Sequence, residues 1–253
     1  MSNEYFQTEA FRAATFRQAD LTGARFRDCD LTGVRIASSQ VDDFTISGFD
    51  GRAGKVVVDD VDVTAFVSSE LDRRYPERVQ LRSMVTADDY RAMWKLLDQL
   101  WSETIDQVRQ LPENDRQQRV DDEWSFVETL RHLIFAIDTW LGRMILDEPK
   151  PFHRLGLPPT DCSAAEAADL GVDRAATPTF DEIDAEFSRR RAQVHELVAA
   201  ATDDQLGQIR TAAILPAWGE ESHSVAECLR VVLNEHCEHR RFAVRDLAVL
   251  AGP

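Results

Sequence analysis

The sequence predicts an α+β protein of two parts, a short right-handed quadrilateral β-solenoid followed by an all-α four-helix bundle. Two observations predict this architecture. Apolar residues recur at every fifth position through the first fifty residues, and four later segments have apolar residues at helical spacing behind helix-capping signals. The predicted boundaries are residues 1–67 for the solenoid, 68–84 for a linker and 85–251 for the bundle.

The first part contains an internal repeat. Neither the 3.6-residue period of a helix nor the 2-residue period of a strand accounts for nine large apolar residues spaced five apart. These residues are Phe6, Phe11, Phe16, Leu21, Phe26, Leu31, Ile36, Val41 and Ile46. We expect each five-residue unit to form one side of a square coil, with its large side chain pointing inward. Stretches such as Ala19-Asp20-Leu21-Thr22-Gly23 resemble the pentapeptide-repeat family.

The charge of the repeat limits the roles that it can have. Residues 1–50 contain 8 acidic and 5 basic side chains, a balance that does not suit a mimic of DNA. The terminal coils of a solenoid expose apolar area and unpaired backbone groups, which must be covered. We therefore expect the linker, or the bundle itself, to cap one end of the coil. The short repeat with balanced charge is better interpreted as a docking or stabilising module, at which a protein partner could bind.

The second part contains four segments with helical periodicity, each opened by a capping signal. In a capping box, a Ser or Thr side chain and an acidic side chain three residues later satisfy amide groups at the helix start. The four pairs are Thr86/Asp89, Ser125/Glu128, Thr179/Glu182 and Ser224/Glu227. Four such signals ahead of four periodic segments predict a helical bundle.

The connections between these helices are unequal in length. About thirty proline-rich residues separate the second and third helices, and a second long connection runs from Asp203 to His223. Long connections without structure of their own usually act as crossovers, lids or binding loops. We expect the two connections to cover one end of the bundle and to roof a pocket there.

Composition limits the class of partner. The net charge is −16, of which −4 lies in residues 1–80, so a nucleic-acid or anionic membrane surface is not expected as a ligand. No apolar run reaches the roughly 18 residues of a membrane span, and the first residues lack the pattern of a signal peptide. The four cysteines form no CxxC pair. These features predict a cytoplasmic protein.

Histidines at helical spacing suggest a metal site. His132 lies about two turns into the second helix, and His236 and His239 lie midway along the fourth. Because residues three or four apart share a helix face, either His236 with His239 or Glu235 with His239 offers two ligands to one ion. With His132 on a facing helix, three protein ligands and an open position would describe a catalytic or substrate-binding site.

These motifs resemble the DinB family, a bacterial helical superfamily, over roughly residues 85–250. The resemblance rests on Trp124-Ser125 ahead of His132, the long crossover, and the His/Glu cluster of the fourth helix. The chain resembles in particular the mycothiol- and bacillithiol-linked relatives in this family. The resemblance implies a divalent metal, most often zinc or nickel, a low-molecular-weight thiol cosubstrate, a small-molecule substrate and a homodimer.

The family pattern has a histidine pair four apart on the fourth helix, whereas Glu235 occupies the first of those positions here. Three alternatives therefore stay open: a ligand set of His132, Glu235 and His239, a set that recruits His236, and a site that has lost metal binding. Two functions also stay open. One is a metal-dependent enzyme, a thiol-dependent transferase or a hydrolase, and the other is a non-catalytic binding or scaffold protein that docks a partner through the coil.

Overall fold

The computed structural model of the protein describes most of the chain, namely residues 5–41, 44–46, 54–160, 162–215 and 219–251. The chain forms two compact units that divide between residues 53 and 54.

The backbone of the first unit has a five-residue period. Residues with φ between +50° and +75° recur at every fifth position, at Ala13, Gln18, Gly23, Asp28, Gly33 and Ser38. The amides of Ala14, Ala24 and Val34 each donate to the carbonyl three residues earlier, which closes turns at ten-residue intervals. The described residues of this unit include no helix or strand.

The large apolar side chains of the first unit are exposed. The nine residues that the repeat predicts to face inward are between 43% and 77% exposed. A solenoid of this length would have only about two coils, so each coil would be terminal and would lack a neighbour on one side. The described residues therefore show the turns of the repeat but not the buried interior expected of a solenoid.

The second unit begins with a hairpin and a helix, in a stretch that the predicted boundaries assigned to the end of the solenoid and to the linker. Strands β1 (Val57–Val58) and β2 (Val61–Asp62) form an antiparallel hairpin. The two turn residues between them both have positive φ, which is the requirement of a type I′ turn. Helix α1 (Thr64–Arg74) follows and has no buried residue.

Helix α2 (Glu77–Ser83) belongs to the helical unit by its contacts. It packs against the first and last of the long helices described below. Arg78 pairs with Glu238, and Arg240 lies 3.6 Å from the carboxylate of Glu77. Most of residues 68–84, predicted as a linker, are thus helical. Apolar periodicity did not predict this helix, because part of its buried face consists of charged residues.

Four long helices make up most of the second unit, and each begins at its predicted capping box. They are α3 (Ala87–Arg109), α5 (Phe126–Ile137), α7 (Phe180–Ala200) and α9 (Val225–Leu250). Helices α3 and α5 each contact both α7 and α9. A short helix α4 (Glu113–Arg116) lies between α3 and α5, and a π-helix (Asp138–Ile145) continues α5.

Both long connections contain secondary structure. The crossover after the π-helix includes α6 (Ala164–Asp169). The connection after α7 contains α8 (Asp203–Leu206) and an antiparallel hairpin of β3 (Ile209–Ala213) and β4 (Glu220–Ser224). Strand β3 contacts the π-helix.

One hydrophobic core joins the four long helices. Its largest fully buried side chains are Tyr90, Met93, Trp94, Leu97, Trp101, Leu130, Leu133, Ile134, Ile137, Leu141, Phe180 and Phe187. These side chains come from α3, α5, the π-helix and α7. Helix α9 contributes Leu229, Val232 and Leu233 to the same core. Within the described part of the chain, no helix is both long enough and apolar enough to cross a membrane.

Gly142 marks the closest approach of the crossover to the π-helix. A Cβ atom at this position would lie 2.7 Å from the Cβ of Pro151, well inside the separation of nonbonded carbon atoms. The absence of a side chain at Gly142 therefore allows the start of the crossover to pack against the helix.

Replacing Gly142 with alanine is expected to destabilise the protein by about 1–3 kcal/mol through overpacking. Alanine in a helix is ordinarily favoured over glycine by about 0.5–1 kcal/mol. A glycine-to-alanine change therefore usually stabilises a helical protein, whereas this one is expected to destabilise it. Urea unfolding would measure the change. Adding Pro151→Gly, which removes the contacted Cβ, should recover most of the loss, and an equal loss in both backgrounds would contradict the steric explanation.

Candidate metal centre

Helices α5 and α9 bring together His132, Glu235 and His239. The Oε2 atom of Glu235 lies 3.3 Å from Nε2 of His132 and 3.1 Å from Nε2 of His239. One ligand atom from each residue lies within 4.8 Å of the other two. The three residues thus form one cluster, in which Glu235 and His239 lie four residues apart on α9 and His132 approaches from α5.

The tautomer of His132 is set by the crossover. Its Nδ1 lies 3.0 Å from the carbonyl oxygen of Leu157. Because a carbonyl only accepts, Nδ1 must be protonated, and a neutral His132 then directs the lone pair of Nε2 at Glu235. Two groups that both offer lone pairs repel each other unless a proton or a cation lies between them.

The electrostatics of the cluster favour an anionic carboxylate beside a neutral His239. Burial acts to raise the pKa of Glu235, but its close contacts with the ring nitrogens of His132 and His239 outweigh burial and hold that pKa well below its usual range. Burial lowers the pKa of His239, and the hydrogen bond to Glu235 only partly opposes this. Glu235 therefore presents a negative charge, and His239 in its neutral form offers a nitrogen lone pair.

Aromatic rings cover one side of the cluster. The ring of Trp124 lies 4.6 Å from that of His132 and 5.9 Å, nearly parallel, from that of His239, measured between centroids. Phe242 approaches His239 edge-on. The side chains of His132, Glu235 and His239 are 10%, 28% and 19% exposed, so the cluster is enclosed on one side and open to solvent on another.

His236, the other candidate ligand, is not part of this cluster. It is fully buried, and its Nδ1 donates to the carbonyl of Val232 at 2.7 Å. Its ring stacks on Phe187 and meets Trp94 and Trp101 edge-on. Burial lowers the pKa of His236 to about 4, which fits a neutral core histidine.

The two other carboxylates of α5 and the π-helix have separate roles. Glu128 accepts from the Ser125 amide in the capping box and pairs with Arg119, as the capping-box interpretation predicts. Asp138 accepts from the His153 amide and from Arg190. Burial raises the pKa of Asp138 to about 6, against the influence of Arg190, and this carboxylate lies outside the histidine cluster.

Sequence reasoning missed the backbone that supports His132. The Leu157 carbonyl belongs to the crossover, which has no periodic pattern. One signal was present on the helix itself, since the run from Leu130 to Ile137 is apolar apart from Arg131 and His132, and Arg131 is 3% exposed. A buried arginine beside a candidate ligand indicates a structural partner nearby.

The cluster fits a divalent cation. Two nitrogen or oxygen ligands about 2.0–2.1 Å from a tetrahedral ion stand about 3.3 Å apart, close to both observed contacts of Glu235. Two imidazoles and a carboxylate are a known zinc donor set, and a backbone carbonyl on the far ring nitrogen is the usual support for a histidine ligand. Fold and donor set together define a helical protein with a candidate divalent-metal centre.

The chain belongs to the DinB superfamily, whose family model matches residues 96–243. This match includes His132, Glu235 and His239. The pentapeptide-repeat model matches residues 11–48 in eight copies, which agrees with the period of the first unit. No significant match was found among curated proteins or among solved structures.

Proposed function

We propose that the protein binds one divalent metal ion, zinc or nickel, between α5 and α9 through His132, Glu235 and His239. The observation that supports this most directly is the convergence of two histidine nitrogens on one carboxylate oxygen, with the His132 tautomer set by a backbone carbonyl. In this proposal α3, α5, α7 and α9 form the four-helix bundle of the superfamily, and the repeat forms a short β-solenoid.

A hydrogen-bonded network without metal is the alternative for the same residues. It requires His132 to be an imidazolium, with protons on both ring nitrogens, so that Nε2 donates to Glu235. His239 could then donate to the same oxygen. Because Nδ1 of His132 already donates to the Leu157 carbonyl, this network needs one more proton than a neutral ring has, whereas a cation bound by Nε2 needs none. The donor geometry therefore favours the metal.

A divalent cation at this position supplies Lewis-acid chemistry that favours the deprotonated form of a coordinating molecule. Glu235 supplies the negative charge that holds the cation, and Trp124 shields the two imidazoles from water on one side. The partly exposed side leaves access for a small-molecule substrate. We propose a thiol-dependent transferase or a hydrolase; the thiol cosubstrate and a homodimer follow from the resemblance to mycothiol- and bacillithiol-linked relatives.

A second function, docking of a protein partner by the repeat, is favoured by one observation. The large apolar side chains of the first unit are exposed, and contiguous exposed apolar area commonly marks an interaction site. A non-catalytic scaffold would bind its partner through these exposed side chains and would not need the metal.

The proposal predicts about one zinc or nickel ion per chain in purified, tag-free protein dialysed without chelator. His239→Ala removes one of three ligands and is expected to abolish the bound metal. The control is His195→Ala, because His195 is an exposed histidine of α7 outside the cluster. Elemental analysis of the three proteins measures the stoichiometry, and circular dichroism checks that each is folded.

Absence of metal from the wild type, even after reconstitution with zinc and with nickel, would reject the proposal and favour the scaffold. Metal retained by His239→Ala, or lost equally from His195→Ala, would reject this ligand set.

A further inference from the structure

Arg131 is a buried arginine whose guanidinium is held by backbone carbonyls. It is 3% exposed and donates to carbonyls from two separate stretches of the crossover. These acceptors are Leu155 at 2.9 Å, Gly156 at 3.4 Å, Asp173 at 2.8 Å, Arg174 at 3.3 Å and Ala176 at 2.6 Å. The side chain thus ties both ends of a loop of about twenty residues to α5.

The planar fork of a guanidinium suits this role. Its five N–H donors point in fixed directions, so several carbonyls can be held at once in one arrangement. Removing the donors would leave buried carbonyls without partners, at a cost in stability. The crossover is therefore folded around Arg131 rather than packed by apolar side chains alone.

The same stretch of crossover holds His132. The Leu157 amide donates to the backbone carbonyl of Arg131 at 3.0 Å, and the Leu157 carbonyl accepts from His132 Nδ1 at 3.0 Å. Leu157 follows directly on Leu155 and Gly156, whose carbonyls the Arg131 side chain binds. Two consecutive residues of α5 thus hold consecutive residues of the crossover.

We infer that Arg131 is a positioning residue for His132, acting through the crossover. By holding residues 155–157 against α5, it places the Leu157 carbonyl where it selects the Nδ1–H tautomer of His132 and aims Nε2 at Glu235. This inference rests on the proposed function, because His132 is a ligand only there. A purely structural Arg131 would stabilise the crossover without changing the state of the His132 ring.

The test uses the full chain labelled with ¹⁵N-histidine and compares wild type, Arg131→Met and Arg131→Lys. The ¹⁵N shifts of His132 in metal-free protein, at a pH where the imidazoles are neutral, report which ring nitrogen has the proton. Zinc titration of the same samples reports the dissociation constant. The control is Arg230→Met, because Arg230 also donates to two backbone carbonyls, those of Leu81 and Met84, away from the cluster.

In Arg131→Met, His132 is expected to populate both tautomers, and the zinc dissociation constant to rise about 10- to 100-fold, as when a partner behind a metal ligand is lost. Arg131→Lys keeps the charge but has fewer donors, so a smaller change of the same sign is expected. If Arg131→Met does not fold, the lysine variant decides by the same two measurements. Arg230→Met should lower stability and leave both measurements unchanged.

Folded Arg131 variants with the wild-type tautomer and wild-type zinc affinity would overturn the inference, as would equal changes in Arg230→Met. Failure of the proposed function is separate, since it would appear as wild-type protein that binds no zinc. In that case the ¹⁵N comparison alone still decides whether Arg131 orients His132.

Discussion

Replacing Glu235 with glutamine is expected to raise the dissociation constant for zinc by more than about 100-fold, beyond the loss typical of a partner behind a ligand. Glutamine has nearly the same shape but removes the only negative charge among the three ligands. An uncharged amide oxygen binds a divalent cation far more weakly than a carboxylate does. Calorimetric titration of metal-free protein with zinc measures the change, and circular dichroism checks that the variant is folded.

The matched variant is Glu235→His. Three histidines also make a competent zinc site, so this variant is expected to keep tight binding although the negative charge is gone. The hydrogen-bonded network makes the opposite prediction, because three imidazoles without a carboxylate have no reason to converge. Zinc binding by Glu235→Gln at wild-type affinity, or its loss from Glu235→His in folded protein, would contradict a site built on position 235.

The choice between Glu235 and His236 shows how far helix spacing predicts the site. Both residues lie within one turn of His239, so spacing alone leaves both as ligands. The apolar stripe of α9 contains the distinguishing signal. Position 236 follows Leu229, Val232 and Leu233 at intervals of seven, four and three, which places His236 in the core stripe, while Glu235 faces α5.

The support of His132 could not be predicted in the same way. Leu157 contributes a backbone carbonyl, which any residue has, and the crossover has no period that would place it beside α5. The proline-rich composition predicted a long connection, and only the folded path of that connection reveals its contact with Arg131 and His132.

The long helices were predictable because periodicity and capping agreed at each of them. Short elements were not, since a helix of seven residues such as α2 presents too few turns for a pattern. Two further capping boxes, Ser163/Glu166 and Thr202/Gln205, begin α6 and α8 and could have been identified from sequence. The β3–β4 hairpin has no clear alternation of apolar and polar residues, and its residues are largely exposed.

A shortened chain that begins at residue 85, the predicted start of the bundle, is expected to be less stable than one that begins at residue 54 by about 5 kcal/mol or more. The shorter chain lacks Leu81 and Met84, which are 6% and 3% exposed and contribute about 1.5–3 kcal/mol each by burial. It also removes Arg78, one of two arginines that pair with the buried Glu238; because Arg241 remains 2.9 Å from this carboxylate, the added loss is smaller than the roughly 3–5 kcal/mol expected for a buried charge left unpaired. Urea unfolding followed by tryptophan fluorescence measures the difference.

Since a domain is typically stable by about 5–15 kcal/mol, this loss would remove about a third or more of the stability of the shorter chain. Point variants separate the contribution of α2 from the effect of shortening. Leu81→Ala is expected to cost about 2–5 kcal/mol in the full chain, whereas Phe66→Ala on α1, where the side chain is 74% exposed, should cost little. Equal stability of the chains beginning at residues 54 and 85 would mean that the helical domain is complete without α2, because the contacts of Leu81, Met84 and Arg78 would then contribute nothing to its folding.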